Sequence, residues 1–300
     1  MARMATIAHR AEALLGTAVV ATTPVAGGDI CTATRIRLSN GSSALIKTRP
    51  HAPAEFFRSE AEGLRWLAAT TGVDVPQVLA VEDDCLVLEW IERTRPSVEA
   101  AEQLGRALAV THRTGAPTFG TESGVDGFIG RLPLPNRGTE SWPEFYAVRR
   151  VLPYLKLASD RGGISSNDTA AVDQVVRRIA DLAGPDEPPA RLHGDLWSGN
   201  LVWGQGARVW LIDPAAHGGH RETDLAMLAL FGCPQLPRVL DAYREATPLA
   251  DGWEDRVALH QLFPLLVHAC LFGRGGGGAG YGARAGDAAR SLLRPGPPVR

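Results

Sequence analysis

Residues 32–38 alternate: Thr34, Ile36 and Leu38 share one face and Arg35 and Arg37 the other. That is the period of a half-buried strand. Asn40-Gly41 follows as a strong hairpin signal, and residues 44–48 make the returning strand. An earlier strand is predicted over 18–25, with a short helix before it at 7–15 and a Gly27-Gly28-Asp29 turn after it. Residues 54–70 carry apolar side chains at helical spacing, with Phe57, Leu64 and Leu67 on one side. Gly72 stops this helix, and Pro76 opens two short strands over 77–82 and 85–91.

Beyond residue 92 the texture becomes mostly helical. Helices are predicted over 98–113, 142–159 and 168–183, with a Gly- and Pro-rich connection over 115–140. A short β-like island covers 192–212, and helices return from Glu222, broken by Pro234, Pro237 and Pro248 and by the glycine run at 273–280. No repeat of fixed period is present. The pattern predicts an α+β protein in two lobes. Residues 1–92 form a small β-rich lobe with one long helix, residues 93–300 form a larger helical lobe, and the two join near Glu89–Arg93.

Composition narrows the classes. The chain has 300 residues, 45% of them hydrophobic and 21% charged, enough to build cores without staples. A net charge of −2 argues against nucleic acid and anionic membranes as partners. No apolar run reaches the roughly 18 residues of a membrane span. The N-terminal stretch lacks the apolar segment of a signal peptide. Cys31, Cys85, Cys233 and Cys270 are widely spaced, which suits a reduced, cytoplasmic chain. A monomer is the simplest expectation. Only two of the 31 basic residues are lysine, Lys47 and Lys156, so a lysine inside the apolar strand Ala44-Leu45-Ile46-Lys47 invites a chemical reason.

The stretch richest in chemistry is His193-Gly194-Asp195-Leu196-Trp197-Ser198-Gly199-Asn200, followed at a distance by Ile212-Asp213-Pro214. An Asp with an Asn five residues on, in a turn between strands, suits phosphoryl transfer: the Asp accepts the proton of an attacking hydroxyl and the Asn reaches a Mg²⁺ ion. Asp213, at a strand end, fits a second metal ligand facing the phosphates. Such chemistry also needs a glycine turn between strands, a strand lysine and a helix carboxylate to hold it. Gly27 and Gly28 supply the turn, Lys47 the cation and Glu60 the carboxylate. Its rival Glu62 points roughly 200° away on a helix, whereas Glu60 shares a face with Phe57, Leu64 and Leu67. Glu89, Trp90 and Ile91 end the last strand, where backbone groups would meet adenine.

These motifs, with Arg221-Glu222-Thr223-Asp224-Leu225-Ala226-Met227, Phe231, Tyr243 and His268, resemble the fructosamine kinase (ketosamine-3-kinase) family of the aminoglycoside-phosphotransferase-like kinases. The resemblance runs from about Val19 to about Leu293. It implies a bilobal protein-kinase-like fold, ATP and Mg²⁺ as cofactors, and phosphorylation of a sugar hydroxyl on a protein-bound or free ketosamine. On the matched positions it makes Asp195 the base, Asn200 and Asp213 the metal ligands, and Lys47 with Glu60 the phosphate clamp. The family usually has an acidic residue where His220 stands and an aromatic one near His217.

Trp197 and His268 are candidates for the acceptor pocket. His193 and Asp224 are expected to support the loop through hydrogen bonds. His217, His220 and His268 do not make a zinc spacing and are each expected to be lone polar contacts. Two other readings stand beside this one. The first is a kinase of another small hydroxylated amine or sugar. The second is an inactive nucleotide-binding scaffold, disfavoured because Lys47, Asp195, Asn200 and Asp213 are all present. Only ten residues separate Asp213 from Asp224, too few for a long segment that phosphorylation would order.

Overall fold

The computed structural model describes residues 2–26, 30–273 and 279–294. The Gly27-Gly28 turn and residues 274–278 of the glycine run lie outside the described residues. After helix α1 (Ala2–Leu15) come strands β1 (Val19–Val25), β2 (Thr32–Leu38) and β3 (Ser43–Thr48), helix α2 (Phe56–Ala68), then β4 (Val78–Glu82) and β5 (Cys85–Glu89). The five strands form one antiparallel sheet in the order β1-β2-β3-β5-β4. Asn40-Gly41 turns the β2–β3 hairpin: Gly41 has φ 88° and the Asn40 Oδ1 accepts from Ser42 N–H at 3.0 Å.

Strand alternation gives the sheet two buried faces. Ile36, Leu38, Ala44, Ile46 and Val87 pack with Ile7 and Ala11 of α1. On the other face Leu86 and Leu88 pack with Phe56, Phe57, Ala61 and Leu64 of α2. Leu45 joins that second cluster, and Lys47, two residues on, shares its face of β3.

Helix α3 (Val98–Thr114) opens the helical part, with the Ser97 hydroxyl accepting from Ala100 N–H at 3.1 Å. The connection expected to be irregular holds a small hairpin, β6 (Gly127–Ile129) and β7 (Leu132–Leu134). The predicted helix at 142–159 is three segments: α4 (Trp142–Phe145), a π-helical turn (Tyr146–Val151) and α5 (Leu152–Asp160). Pro153 near the start of α5 has no N–H to continue the ladder. The wide turn carries Arg150, which is only 1% exposed. Its guanidinium lies 4.5 Å over the Phe145 ring and donates to Pro135 O (2.5 Å) and Asn136 Oδ1 (2.8 Å). The helix predicted at 168–183 divides into α6 (Ser166–Arg177) and α7 (Ile179–Leu182).

The β island is four short strands, β8 (Ala190–Leu192), β9 (Leu201–Trp203), β10 (Val209–Leu211) and β11 (His217–Gly219). They pair β9 with β10 and β8 with β11, both antiparallel. Helices α8 (Glu222–Leu230), α9 (Leu236–Ala246), α10 (Trp253–Phe272) and α11 (Ala279–Leu293) complete the chain. Helices α3 and α9 touch at Gly105, where a Cβ would stand 2.2 Å from Val239 O. Among the described residues no helix is long and apolar enough to cross a membrane.

Two buried histidines give the fold an acid limit. His217 and His220 are each about 3% exposed. Burial pushes both imidazoles down to about 3, helped at His217 by Arg150 and at His220 by His260. The unfolded chain takes up protons on these rings below about pH 6.5, whereas the folded chain resists until about 3. Stability therefore falls as the pH drops through that window. Buried Asp195, with its pKa raised to about 7, takes up a proton over the same interval and works the other way. The test therefore uses an Asp195→Asn background, in which urea unfolding should show a loss of about 3 kcal/mol between pH 7.5 and 5.5. A stability that stays flat over this interval would contradict the burial.

Candidate active site

The loop after β8 is built around one carboxylate. Asp224, in the first turn of α8, is 1% exposed and accepts His193 N–H at 2.8 Å and Gly194 N–H at 2.9 Å. It also takes the His112 Nε2–H at 3.2 Å. Burial works to raise its pKa, but the hydrogen bonds from His112 and from the Gly194 N–H hold it below the usual range. Gly194 must be glycine: its φ is 81°, and a Cβ there would lie 2.2 Å from Ala215 O.

His193 ties this loop to the next. Its Nε2–H donates to Ile212 O at 2.9 Å and its Nδ1 accepts Asp195 N–H at 3.2 Å, one tautomer serving both. Burial holds the ring below its ordinary pKa, so it stays neutral. Backbone bonds from Ala215 N–H to His193 O (2.9 Å) and from Ile212 N–H to Asn200 O (3.0 Å) complete the stitching.

Asp195 and Asn200 face each other across the turn. The Asn200 Nδ2 donates to Asp195 O at 2.8 Å and to Asp195 Oδ2 at 3.1 Å. Burial, then the neighbouring Asp213 charge, push the Asp195 carboxyl up to about 7 against the pull of Asn200. With Nδ2 spent on Asp195, the free oxygen of the amide is Oδ1.

Lys47 connects this site to the sheet. Its Nζ donates to both Glu60 oxygens at 2.7 Å and to Asp213 Oδ1 at 2.9 Å. Burial alone would lower the Lys47 pKa, but Asp213 and Glu60 outweigh it and hold the ammonium charged. Glu62 is exposed, as the helix geometry predicts. Asp213 is held at φ 55°, in the left-handed region, and its side chain is 47% exposed. A non-glycine residue pays about 1 kcal/mol for that conformation, and Pro214 after it disfavours the right-handed alternative.

Glu89 closes β5, its N–H donating to Gln77 O at 2.8 Å. Trp90 lies under the Arg35 guanidinium at 4.6 Å, and Ile91 is half-buried. Two residues on, Arg93 bridges to Gly204, so the chain leaving the sheet is fastened to the β9–β10 unit.

Trp197 stands 36% exposed on the loop, its ring covering Gly199 and meeting Phe231 edge-on at 6.1 Å. Phe231 in turn contacts His268 (4.6 Å) and Tyr281 (6.3 Å). His268 is therefore part of an aromatic cluster rather than a lone contact. Its Nδ1–H donates to Pro264 O at 2.8 Å, and burial keeps the ring neutral. His220 is not alone either: its ring lies 4.9 Å from His260 and 5.0 Å from Trp142. His220, Glu222 and His260 bring their polar atoms within 4.8 Å of one another. Both Glu222 oxygens, however, are bound by Arg256 at 2.9 and 2.6 Å, which makes this an ion pair. Sequence reasoning missed His112 and Tyr281. The periodicity of α3 and α11 marks only faces, and their partners come from distant segments.

Comparison with known proteins identifies the family. The fructosamine kinase family model matches residues 3–293. The probable ketoamine kinase of Enterococcus faecium is 34% identical, over 83% of this chain and 89% of its own length. The chloroplastic protein-ribulosamine 3-kinase of Arabidopsis thaliana is 33% identical, over 84% of this chain and 77% of its own. A crystal structure described as a fructosamine-3-kinase candidate from Thermobifida fusca superimposes with a TM-score of 0.90 at 48% identity, covering 97% of this chain and 99% of the other. The chain belongs to the fructosamine kinase family, with a protein-kinase-like fold and an ATP-dependent kinase activity toward a hydroxyl group.

Proposed function

We propose that the protein phosphorylates a sugar hydroxyl of a ketosamine, free or protein-bound, with ATP and Mg²⁺. The observation that carries this reading is the aromatic cluster of Trp197, Phe231, His268 and Tyr281, which Trp197 ties to the Asp195 loop through its N–H bond to Asp195 O at 3.1 Å. A ketosamine is a polyhydroxyl sugar carrying a protonated amine. A half-exposed indole offers a face to both, and a desolvated cation–π contact contributes about 2 kcal/mol. With its Nδ1–H spent on Pro264, His268 has only an acceptor nitrogen left for the acceptor's hydroxyls or amine.

The donor set suits a hard cation: Asp213 keeps one oxygen beyond its bond to Lys47, and Asn200 keeps its Oδ1. A bound Mg²⁺ would neutralise charge building on the transferring phosphoryl group. Lys47, fixed by Glu60, would hold the phosphates, and Asp195 would take the proton of the attacking hydroxyl. Because the Glu89 N–H is already used by Gln77, adenine would bond to the Glu89 carbonyl and the Ile91 N–H beside Trp90. In this reading residues 1–92, including Gly27 and Gly28, hold the nucleotide and residues 93–300 hold the acceptor. The four cysteines are free, which suits work in the reducing cytoplasm.

The metal assignment predicts that Asp213→Asn keeps the fold, checked by circular dichroism, and loses at least about a hundredfold in kcat. Activity within tenfold of the parent would refute it. The acceptor assignment predicts that fructosyl-lysine is phosphorylated far better than free fructose. It also predicts that Trp197→Ala lowers kcat/KM for fructosyl-lysine about tenfold at unchanged KM for ATP. Equal efficiency on fructose and fructosyl-lysine would favour the general sugar kinase.

A further inference from the structure

A cavity of about 650 Å³ lies where the end of α3, the chain leading into β8, and the end of α9 come together. None of Lys47, Glu60, Asp195, Asn200 or Asp213 lines it. Arg113, Arg191 and Arg221 do, and Glu187 is the one acid among the described lining residues. Glu187 is fully engaged by Arg221, with bonds of 2.7 Å to Nε and to Nη2.

The other two arginines ion-pair with no acid among the described residues. Arg113 reaches the Thr247 hydroxyl at 3.2 Å. Arg191 donates to Trp66 O at 2.6 Å and lies 4.4 Å over the Trp66 ring. Burial lowers the Arg191 pKa, as expected for a partly sunk cation with no carboxylate beside it. The lining thus carries two cations whose charge the protein leaves uncompensated, in a chain of net charge −2.

The same cavity reaches the loop that carries Asp195 through a line of hydrogen bonds. Tyr243, which lines the cavity with Arg221, meets His112 Nδ1 through its hydroxyl at 2.9 Å. His112 Nε2 meets Asp224, and Asp224 holds the N–H groups of His193 and Gly194. A carboxylate only accepts, so Nε2 carries the proton. In the Nε2–H tautomer Nδ1 accepts from the Tyr243 hydroxyl. All these side chains but Arg221 are buried.

We propose that this cavity binds a phosphate dianion, free or as a small monoester, and that its occupancy is read at the catalytic loop. Planar guanidinium groups match phosphate oxygens in pairs. A dianion competes with Glu187 for Arg221 and with His112 for the Tyr243 hydroxyl. Drawing that hydroxyl toward the cavity loosens His112 and lets the Asp224 clamp relax, which lowers kcat. The site stands apart from the acceptor pocket, so its occupancy does not depend on which acceptor is phosphorylated.

The test fills the nucleotide site first, so that phosphate cannot bind there. Inorganic phosphate and ribose 5-phosphate are titrated calorimetrically, separately, into the full chain saturated with a non-hydrolysable ATP analogue and Mg²⁺. One equivalent of at least one of them should bind. Its affinity should fall at least about tenfold in Arg113→Ala, an exposed position whose folding is checked by thermal melting. No binding to the saturated protein, or equal affinity in the folded variant, overturns the site. In kinetics the bound anion should lower kcat without raising the KM for ATP. In Tyr243→Phe the anion should still bind, but relative to that variant's own rate the kcat drop should vanish. A kcat that does not respond in the parent, or an equal drop in Tyr243→Phe, overturns the coupling.

Discussion

The Asp224 carboxylate is the acceptor on which the rest of the site hangs. It is buried, and it receives two adjacent backbone N–H groups of the loop that carries Asp195. Charge-assisted hydrogen bonds of this kind contribute about 1.5–3 kcal/mol each. Their larger effect is geometric. Pinning His193 and Gly194 fixes where Asp195 begins, and the His193 ring passes that position to Ile212, the residue before Asp213. One carboxylate in α8 therefore sets the spacing of two loops that are remote in sequence.

Lys47 supplies the matching constraint from the sheet. A buried ammonium between two carboxylates is tolerated only because each partner reaches it from a different element, Glu60 from α2 and Asp213 from the loop after β10. The left-handed backbone at Asp213 is held by this pairing and by the bonds on either side of it. The sheet and the loops of Asp195 and Asp213 are thereby registered to each other through side chains, while the bridge from Arg93 to Gly204 registers the sheet to the β9–β10 unit through the backbone.

Much of this was legible in the sequence, for reasons that differ by residue. Alternation in β2 and the Asn40-Gly41 turn fixed the hairpin, which put Lys47 on the α2 face. Helical phase alone separated Glu60 from Glu62. The Asp195–Asn200 and Asp213 spacing placed a short turn and a strand end where the structure has them. The π-helical turn was not legible: Pro153 marks a break in the ladder without fixing its kind, and the contacts of Arg150 with Phe145, Pro135 and Asn136 are ones no local pattern encodes. The small β6–β7 hairpin is three residues a side, too short for alternation to register. His112 looked like any polar residue on α3, since its partners Tyr243 and Asp224 lie more than a hundred residues away. The His220, Glu222 and His260 cluster escaped because His260 comes from a separate helix, α10, and no local pattern pairs it with the start of α8.

The account puts Asp224 at its centre, and steady-state kinetics of Asp224→Asn test it most directly. The amide keeps the size but offers one accepting oxygen in place of two, so one loop N–H or the His112 proton loses its partner. The nucleotide contacts proposed for Lys47 and for Glu89 to Ile91 do not pass through this residue. The account predicts a folded variant whose kcat falls about a hundredfold or more while the Kd for ATP stays within about threefold. A folded variant with kcat within a few-fold of the parent would contradict it.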